Sequence, residues 1–283
     1  MRKMIPALGL IGLAAWLCSP GGEASPVYAV PRYKGGEVAG GGSIKGTVTI
    51  SPVPQPADFT VEKDVKTCRG TQEKKANFRL SANSDTGAWA DVVVYIDGIN
   101  KGKALPKGQK FTIDQKECTY RPFITIAPKK SSVEITSSDP ILHNVHVYEG
   151  TPQQPHSLTR DVLNQAMTSS AVPATPLERR DLRRPAFYYI RCDAGHIWMS
   201  AYIWVVEHPY YAKTDAKGQF ELTDVPPGTY TLRFWHPGYE IEPVLTDGKV
   251  TEYNFGAPIE HRMTVTVEAG KATSANWQAT GAK

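Results

Sequence analysis

The sequence lacks the motifs that identify most enzymes. It has no HExxH pair, no nucleophile elbow, no phosphate-binding loop and no dinucleotide fingerprint. Its acidic residues are scattered without an obvious catalytic pair, so a hydrolase is not supported. Only seven histidines occur in 283 residues, too few and too dispersed for the His-rich motifs of a multicopper enzyme. We therefore expect a protein that is not an enzyme.

Cysteine is also scarce. The chain contains four, Cys18, Cys68, Cys118 and Cys192, and none forms a CxxC pair, which argues against a redox-active dithiol. If Cys18 leaves with a signal peptide, three remain, which is an odd number in an oxidising compartment. The economical arrangement joins two in a disulfide and keeps one as a special thiol. The neighbours of each cysteine decide which one stays free.

A long apolar run is missing as well. Residues 5–18 are apolar, but about 20 apolar residues are needed to span a bilayer. A basic start precedes this run, and cleavage options follow it after Ala24 and Ala29. The pattern predicts a signal peptide over residues 1–29, hence a periplasmic or extracellular protein. An uncleaved anchor is the alternative, and only then do we expect membrane association. Lipid attachment at Cys18 is not expected, because a bulky leucine precedes it.

Neither sign of charge dominates the chain. The formal net charge is +4 at pH 7, which fits an acidic protein partner or a membrane surface and does not suggest nucleic acid. The basic block at residues 178–184 is most simply a solvated edge. The sharper interpretation is a docking patch for an acidic redox partner.

Helical periodicity is almost absent, and short Val, Ile, Thr and Tyr runs are punctuated by Gly and Pro. This pattern predicts an all-β fold. A Gly-rich stretch at residues 30–42 predicts a flexible linker, and residues 158–167 could form one short helix. The apolar run at residues 91–98 indicates a strand buried on both faces. The other strong strands are predicted at residues 45–50, 132–136, 187–192 and 199–206.

One loop carries a pattern of metal ligands. A predicted strand ends at Cys192, three residues separate this thiol from His196, and two more lead to Met199. Thiolate, imidazole and thioether are soft and borderline ligands that select copper over hard cations. A trigonal His-His-Cys set with a weak axial Met binds one type 1 copper ion, so one imidazole is still missing.

We expect the missing imidazole at the end of a distant strand, because a sheet can fix the ligand geometry before metal arrives. His143 follows a Ser-Ser-Asp-Pro turn and begins a predicted strand. His143 and His146 differ by an odd step and therefore point to opposite faces of that strand. Only one of them can face Cys192, and we choose His143 because it stands at the end of the strand.

At this point the sequence resembles the cupredoxins, and among them amicyanin-like and plastocyanin-like domains of methylamine-utilisation-type proteins. The resemblance rests on residues 142–146 and on the loop of Cys192, His196 and Met199. It implies a Greek-key β-sandwich with copper near one end, His143, Cys192 and His196 as equatorial ligands, and Met199 as the axial ligand. It also implies that Asn144 hydrogen-bonds near the cysteine strand. His196 would lie near the surface, where a redox partner docks.

The spacing in the ligand loop departs from this family. Its members usually have two or four residues between Cys and His, whereas this chain has three. This spacing affects the length of the bond between copper and Met199, and through it the colour and reduction potential of the site. It affects copper binding itself less. With Cys192 taken as a ligand, Cys68 and Cys118 are left to pair as a structural disulfide.

A second resemblance covers the C-terminal part. The Gly-Gln-Phe at residues 218–220 and the Val-Pro-Pro-Gly at residues 225–228 resemble carboxypeptidase regulatory-like domains, which are small transthyretin-like sandwiches. We therefore predict a cupredoxin-like domain over residues 43–210 and a regulatory-like domain over residues 211–283. Strand 45–50 also looks like part of the second domain, so the first could be inserted in it.

These expectations combine into an exported mononuclear copper protein that carries single electrons between redox partners. Two alternatives use the same sequence differently. One is a periplasmic copper-binding or delivery protein without electron turnover. The other is a cell-surface interaction module in which the regulatory-like sandwich matters and no metal has a role.

Overall fold

The computed structural model describes residues 32–68, 74–168, 175–177 and 182–281. The signal peptide predicted at residues 1–29, with Cys18, lies outside these residues, as do residues 178–181 of the basic block. Within the described ranges the secondary structure is strand apart from the four-residue helix α1, Val65–Cys68, which confirms the all-β prediction. No helix in the described part of the chain is long and apolar enough to cross a bilayer.

The strands are numbered in chain order. The first twelve are β1 Lys34–Gly36, β2 Gly42–Ser51, β3 Phe59–Thr60, β4 Lys74–Lys75, β5 Val93–Asp97, β6 Lys101–Lys103, β7 Lys110–Gln115, β8 Tyr120–Arg121, β9 Ile124–Pro128, β10 Ser132–Ser137, β11 His143–Gly150 and β12 Arg160–Met167. The others are β13 Thr175–Leu177, β14 Ala186–Arg191, β15 Ser200–Val206, β16 Tyr211–Lys213, β17 Gln219–Val225, β18 Gly228–His236, β19 Ile241–Thr246, β20 Lys249–Phe255, β21 Ile259–Val267, β22 Ala272–Ser274 and β23 Trp277–Thr280.

Two sheets enclose the first hydrophobic core. One has five strands in the order β12-β11-β14-β15-β9, and the other has four in the order β13-β10-β7-β8. Alternate residues of the central strands point into the space between the sheets, because successive side chains of a strand face opposite ways. Val145, Val147, Ile190 and Ile203 meet Ile135 there, all fully buried.

Two further sheets enclose the second core. One has the order β16-β5-β18-β21, and in the other β2 lies between β17 and the pair β22 and β23. Strands β2 and β5 precede the first sandwich along the chain, yet they pair with strands that follow it. The predicted division into residues 43–210 and 211–283 therefore does not follow the sheets.

A third, largely aromatic cluster joins the two sandwiches. Tyr189 and Tyr202, on the outer face of the five-stranded sheet, pack in one cluster with Val93 and Trp235 of the facing sheet. Strand β15 is consequently buried at every position, and β5 at every position except its last. This burial on both faces is the physical reason for their uninterrupted apolar runs, and it confirms the reading of residues 91–98.

Two local expectations are wrong. Residues 160–167 of the stretch expected to be helical form the edge strand β12, because they pair antiparallel with β11 along its length. The supposed linker at residues 30–42 contains β1, which pairs in parallel with β6.

Buried histidines make the stability of this fold depend on pH. Burial lowers the pKa of His236 to about 3 and that of His208 to about 4, and both values lie below the ordinary 6.5. As the pH falls below 6.5, these two histidines become protonated in the unfolded chain but stay neutral in the folded chain. We expect each histidine to cost roughly 2 kcal/mol of unfolding free energy between pH 7 and pH 5.

Urea unfolding at these two pH values, with His236→Gln as the comparison, measures this effect. Glutamine does not titrate, so the variant should lose less stability than the wild-type chain on acidification. Equal losses would show that His236 is not held neutral by the fold.

Candidate metal centre

The structure brings three of the predicted ligands together. The Cys192 sulfur lies 4.0 Å from Nδ1 of His143 and 3.7 Å from Nδ1 of His196. His143 is the first residue of β11, and Cys192 directly follows β14. All three side chains are buried, with at most 1% of their surface exposed. A free thiol and two imidazoles thus face one another inside the first core.

The two histidines of β11 occupy different faces, as their odd spacing predicts. His146 points away from Cys192 and contacts the carboxylates of Asp161 at 2.9 Å and Asp193 at 2.5 Å. His143 points into the core. The alternation of the strand therefore explains why one of two nearby imidazoles reaches the thiol.

A glycine shapes the short loop between Cys192 and His196. Gly195 has a φ of +88°, a backbone conformation that side chains rarely adopt. A Cβ atom at this position would also lie 3.0 Å from Cδ of Lys63. The Lys63 ammonium donates a hydrogen bond to the Ala194 carbonyl at 2.6 Å. The loop is therefore turned by Gly195 and covered by the segment that contains Lys63.

Each imidazole of the site is oriented by its own carboxylate. Nε2 of His143 lies 2.9 Å from Asp139 Oδ2, and Nε2 of His196 lies 3.0 Å from Asp64 Oδ2. Because both Nε2 atoms are engaged, both Nδ1 atoms are directed at the Cys192 sulfur. Such carboxylate–histidine pairs fix the ring orientation of metal ligands and raise their basicity.

The carboxylates are themselves held by the backbone next to the two other cysteines. Asp139 accepts hydrogen bonds from the N–H groups of Glu117 at 2.7 Å and Cys118 at 2.8 Å. Asp64 lies just before helix α1, where its carbonyl oxygen accepts a bond from the N–H of Cys68 at 2.9 Å. The positions of both imidazoles therefore depend on the loops that carry Cys68 and Cys118.

The site stabilises a thiolate at Cys192. Burial raises the pKa of the thiol, but hydrogen bonds from His143 and His196 and from the backbone of Ala194 and Asn144 outweigh burial and bring the pKa down to about 6. The thiolate is the form that binds a metal ion, so the donor is ready near neutral pH.

His143 balances the negative charge of the Cys192 thiolate. Burial lowers its pKa, but the hydrogen bonds to Asp139 and Cys192 together have the larger effect and raise the pKa from 6.5 to about 9. The same contact helps to lower the pKa of Asp139, against the effect of its burial. An imidazolium thus lies between a carboxylate and a thiolate, and a metal ion that binds at Nδ1 must displace a proton.

Asn144 ties the first histidine strand to the cysteine loop, as the resemblance implies. Its backbone N–H lies 3.3 Å from the Cys192 sulfur, and its side-chain oxygen accepts a bond from the N–H of Asp193 at 3.3 Å. The buried Tyr120 hydroxyl donates to the carbonyls of Asn144 at 2.7 Å and Arg191 at 3.1 Å. These bonds hold the two ligand-bearing strand ends together.

Met199 lies in the same hydrophobic core as Cys192 and is 1% exposed. Its backbone N–H donates to the carbonyl of His196 at 2.9 Å, which closes the ligand loop on itself. Its role as the axial ligand remains a prediction.

The expected surface position of His196 is wrong. Its side chain is 0% exposed, because Asp64 bonds its outer nitrogen and Lys63 covers the ligand loop. The segment that carries these residues lies more than a hundred residues upstream of His196 in the sequence. No local sequence pattern indicates that this segment covers His196. A partner docking near His196 would therefore meet this covering segment before the imidazole.

The predicted disulfide between Cys68 and Cys118 is confirmed, with Cα atoms 4.9 Å apart and Cys192 left free. The bridge borders the candidate centre, since its two sulfurs and a ring nitrogen of His196 all lie within 4.8 Å of one another. The indole N–H of Trp198 also donates to the Cys118 carbonyl at 2.9 Å. The bridge is therefore part of the wall of the site.

Sequence reasoning missed the two carboxylates. Asp139 could have been found, because it stands four residues before His143 in the turn that precedes the strand. Asp64 carries no such signal, because it reaches His196 only through the folding of a distant loop. Within the described ranges, none of the groups able to hold a metal ion includes the four remaining histidines, which are His156, His208, His236 and His261.

Comparisons with known proteins bear mainly on the fold. The model of the carboxypeptidase regulatory-like domain family matches residues 193–280. No match was found among curated proteins.

Solved structures of cupredoxin type are similar to part of the chain. A copper-containing nitrite reductase from Thermus scotoductus SA-01 is 16% identical over 38% of this chain and 24% of its own, with a TM-score of 0.29. This chain thus spans about a quarter of that enzyme. A pseudoazurin from Sinorhizobium meliltoi is 15% identical over 36% of this chain and 76% of its own, with a TM-score of 0.26. Auracyanin A, a blue copper protein from Chloroflexus aurantiacus, is 11% identical over 34% of this chain and 98% of its own, with a TM-score of 0.27.

Removing the disulfide should destabilise the metal-free protein. The bridge joins residues 50 positions apart, and the entropy of closing such a loop in the unfolded chain amounts to about 4 kcal/mol. We expect the double variant Cys68→Ala, Cys118→Ala to lose about this much unfolding free energy in urea. Cys192→Ala is the matched control, because it also removes a buried sulfur but keeps the bridge. A double variant as stable as this control would contradict the prediction.

Proposed function

We propose that the chain is an exported mononuclear copper protein that carries single electrons between redox partners. The observation that supports this most strongly is the convergence of Nδ1 of His143, Nδ1 of His196 and Sγ of Cys192 in a buried space. The donor chemistry fits copper, because thiolate and imidazole together select it over hard cations. When bound, copper supplies a one-electron couple between Cu(II) and Cu(I).

The residues around the donors suit electron transfer because they hold the ligands in place without metal. Asp139 and Asp64 orient the two imidazoles, Asn144 fixes the cysteine loop, and burial excludes water from Cys192. A preorganised site has little to rearrange when the charge of its metal changes. In this proposal Met199 is the weak axial donor, in the manner of the amicyanin-like domains that the ligand loop resembles.

Other features of the chain support an exported carrier. A disulfide beside a free thiol fits an oxidising compartment, which agrees with the predicted signal peptide. The exposed lysines of the covering segment, Lys63 and Lys66, offer positive charge to an acidic partner that docks over His196. The alternative is a copper-delivery protein with the same ligands. Delivery requires transfer of Cu(I) to an acceptor chain, whereas a carrier keeps its metal in both oxidation states.

Copper loading of the purified mature chain tests the ligand set. With Cu(II), the wild-type protein should show an intense thiolate-to-copper charge-transfer band, which Cys192→Ser should abolish. His143→Ala should shift or weaken the band, because the thiolate remains but one equatorial donor is lost. His146→Ala is the matched control on the opposite face of β11 and should keep the band. A band that is unchanged in His143→Ala, or absent from the wild-type chain, would contradict the copper-carrier proposal.

The axial role of Met199 has a separate test. Met199→Leu preserves the volume of the side chain and removes the thioether donor. We expect the charge-transfer band to remain and the reduction potential to rise, since the oxidised ion loses a ligand that favours it. The measurement is a spectroelectrochemical titration of the two proteins. An unchanged potential would show that Met199 does not coordinate.

A further inference from the structure

We infer that reduction of the Cys68–Cys118 disulfide creates a second metal site, formed by the two released thiolates and His196, which binds Cu(I). This site is distinct from the set of His143, Cys192 and His196 and shares only one imidazole with it. The inference goes beyond the proposed electron-carrier function, since it concerns a different oxidation state of the protein.

The proximity of the sulfurs to His196 carries the first step of the argument. The ligand atoms of Cys68, Cys118 and His196 lie within 4.8 Å of one another, and all three residues are fully buried. Once the sulfur–sulfur bond is broken, the two thiolates and the imidazole are therefore close enough for one ion to contact all three.

Both cysteines are also held by hydrogen bonds that do not depend on the sulfur–sulfur bond. The Lys75 ammonium donates to the carbonyl of Cys68 at 3.1 Å and to that of Glu117, the residue before Cys118, at 2.8 Å. The backbone N–H of Cys118 donates a hydrogen bond to Asp139, and the carbonyl of Cys118 accepts one from the Trp198 indole. Reduction therefore leaves two thiols next to His196 rather than two free loops.

The charges around the bridge favour a monovalent soft cation. Two thiolates with one Cu(I) carry a net charge of −1, and the Lys75 ammonium bridges the backbone next to both cysteines. Two thiolates and an imidazole form a soft donor set, which favours Cu(I) over hard cations of the same compartment. A lysine in this position lowers the electrostatic cost of burying the anionic complex.

The redox step is an ordinary thiol–disulfide exchange. An external dithiol attacks one sulfur of the bridge, and a mixed disulfide forms. The first attack releases one cysteine as a thiol; the second thiol of the reductant then attacks the mixed disulfide, releases the other cysteine, and the reductant leaves as an intramolecular disulfide. Two electrons and two protons thereby reach Cys68 and Cys118, and the protons leave when Cu(I) binds. His196 belongs to both sets, but the two thiolates of the second set exist only after the bridge has been reduced.

Competition for Cu(I) with a chromophoric Cu(I) chelator tests the site. The protein is the full mature chain with Cys192→Ser, in which the first set is broken. Its oxidised form should bind no tight Cu(I). After anaerobic reduction and removal of the reductant, it should bind one Cu(I) per chain. His196→Ala in the same background should weaken this binding at least about tenfold, while His261→Ala, which removes an imidazole on the second sandwich, should not.

Three outcomes would overturn the inference. One is reduced Cys192→Ser that binds no Cu(I). Another is binding that is indifferent to His196→Ala, as a flexible dithiol would give. The third is loss of the near-ultraviolet circular dichroism on reduction, since a preformed site requires the native fold.

A measurement on the wild-type chain keeps the test independent of the variant. Copper K-edge absorption of the Cu(I) protein should show more sulfur neighbours after reduction than before, and an unchanged sulfur count would also overturn the inference. The electron-carrier proposal is tested separately, by the charge-transfer band of the Cu(II)-loaded wild-type protein with its disulfide intact.

Discussion

The antiparallel pairing of β11 with β14 is the constraint on which the candidate centre depends. In its register Arg191 lies opposite His146, so the chain leaves β14 at Cys192 beside the first residues of β11. The thiol is thereby delivered to the backbone of Asn144 and to the ring of His143. A shift of one residue would turn His146 towards the thiol and send His143 to the opposite face, because the side chains of a strand alternate.

The same strands connect the centre with the rest of the molecule. Ile190 of β14 and Ile203 of β15 face the first core, whereas Tyr189 and Tyr202 face the aromatic layer shared with the second sandwich. The ligand-bearing strands are thus packed on both sides, which limits their freedom to adjust when a metal ion binds. The second sandwich accordingly supports the sheet that carries the site.

Buried charge in the centre is balanced locally. His143 lies between Asp139 and the Cys192 thiolate, and His196 lies against Asp64. A buried ion costs several kcal/mol unless partners of opposite charge or hydrogen bonds compensate it. The carboxylates, the disulfide and the ligand loop therefore form one interdependent unit.

Much of this arrangement could be predicted from the sequence, where the signals are local. The strand periodicity, the short Cys192–His196 spacing and the odd step between His143 and His146 each act over a few residues, and each describes the structure correctly. The cover of His196 by Asp64 and the pairing of β2 with β17 depend on contacts between distant segments. The stretch around β12 looked helical because its own residues permit a helix, but the edge of β11 offered it backbone partners. Local propensity decides an element only where no tertiary contact overrides it.

The central claim is that His143, His196 and Cys192 hold one copper ion. Extended X-ray absorption fine structure of the Cu(II)-loaded mature chain measures this set directly, because it counts nitrogen and sulfur neighbours and their distances. The account predicts two nitrogen donors and one short copper–sulfur bond per chain. A spectrum with nitrogen and oxygen neighbours alone would contradict it and place any bound copper elsewhere on the protein.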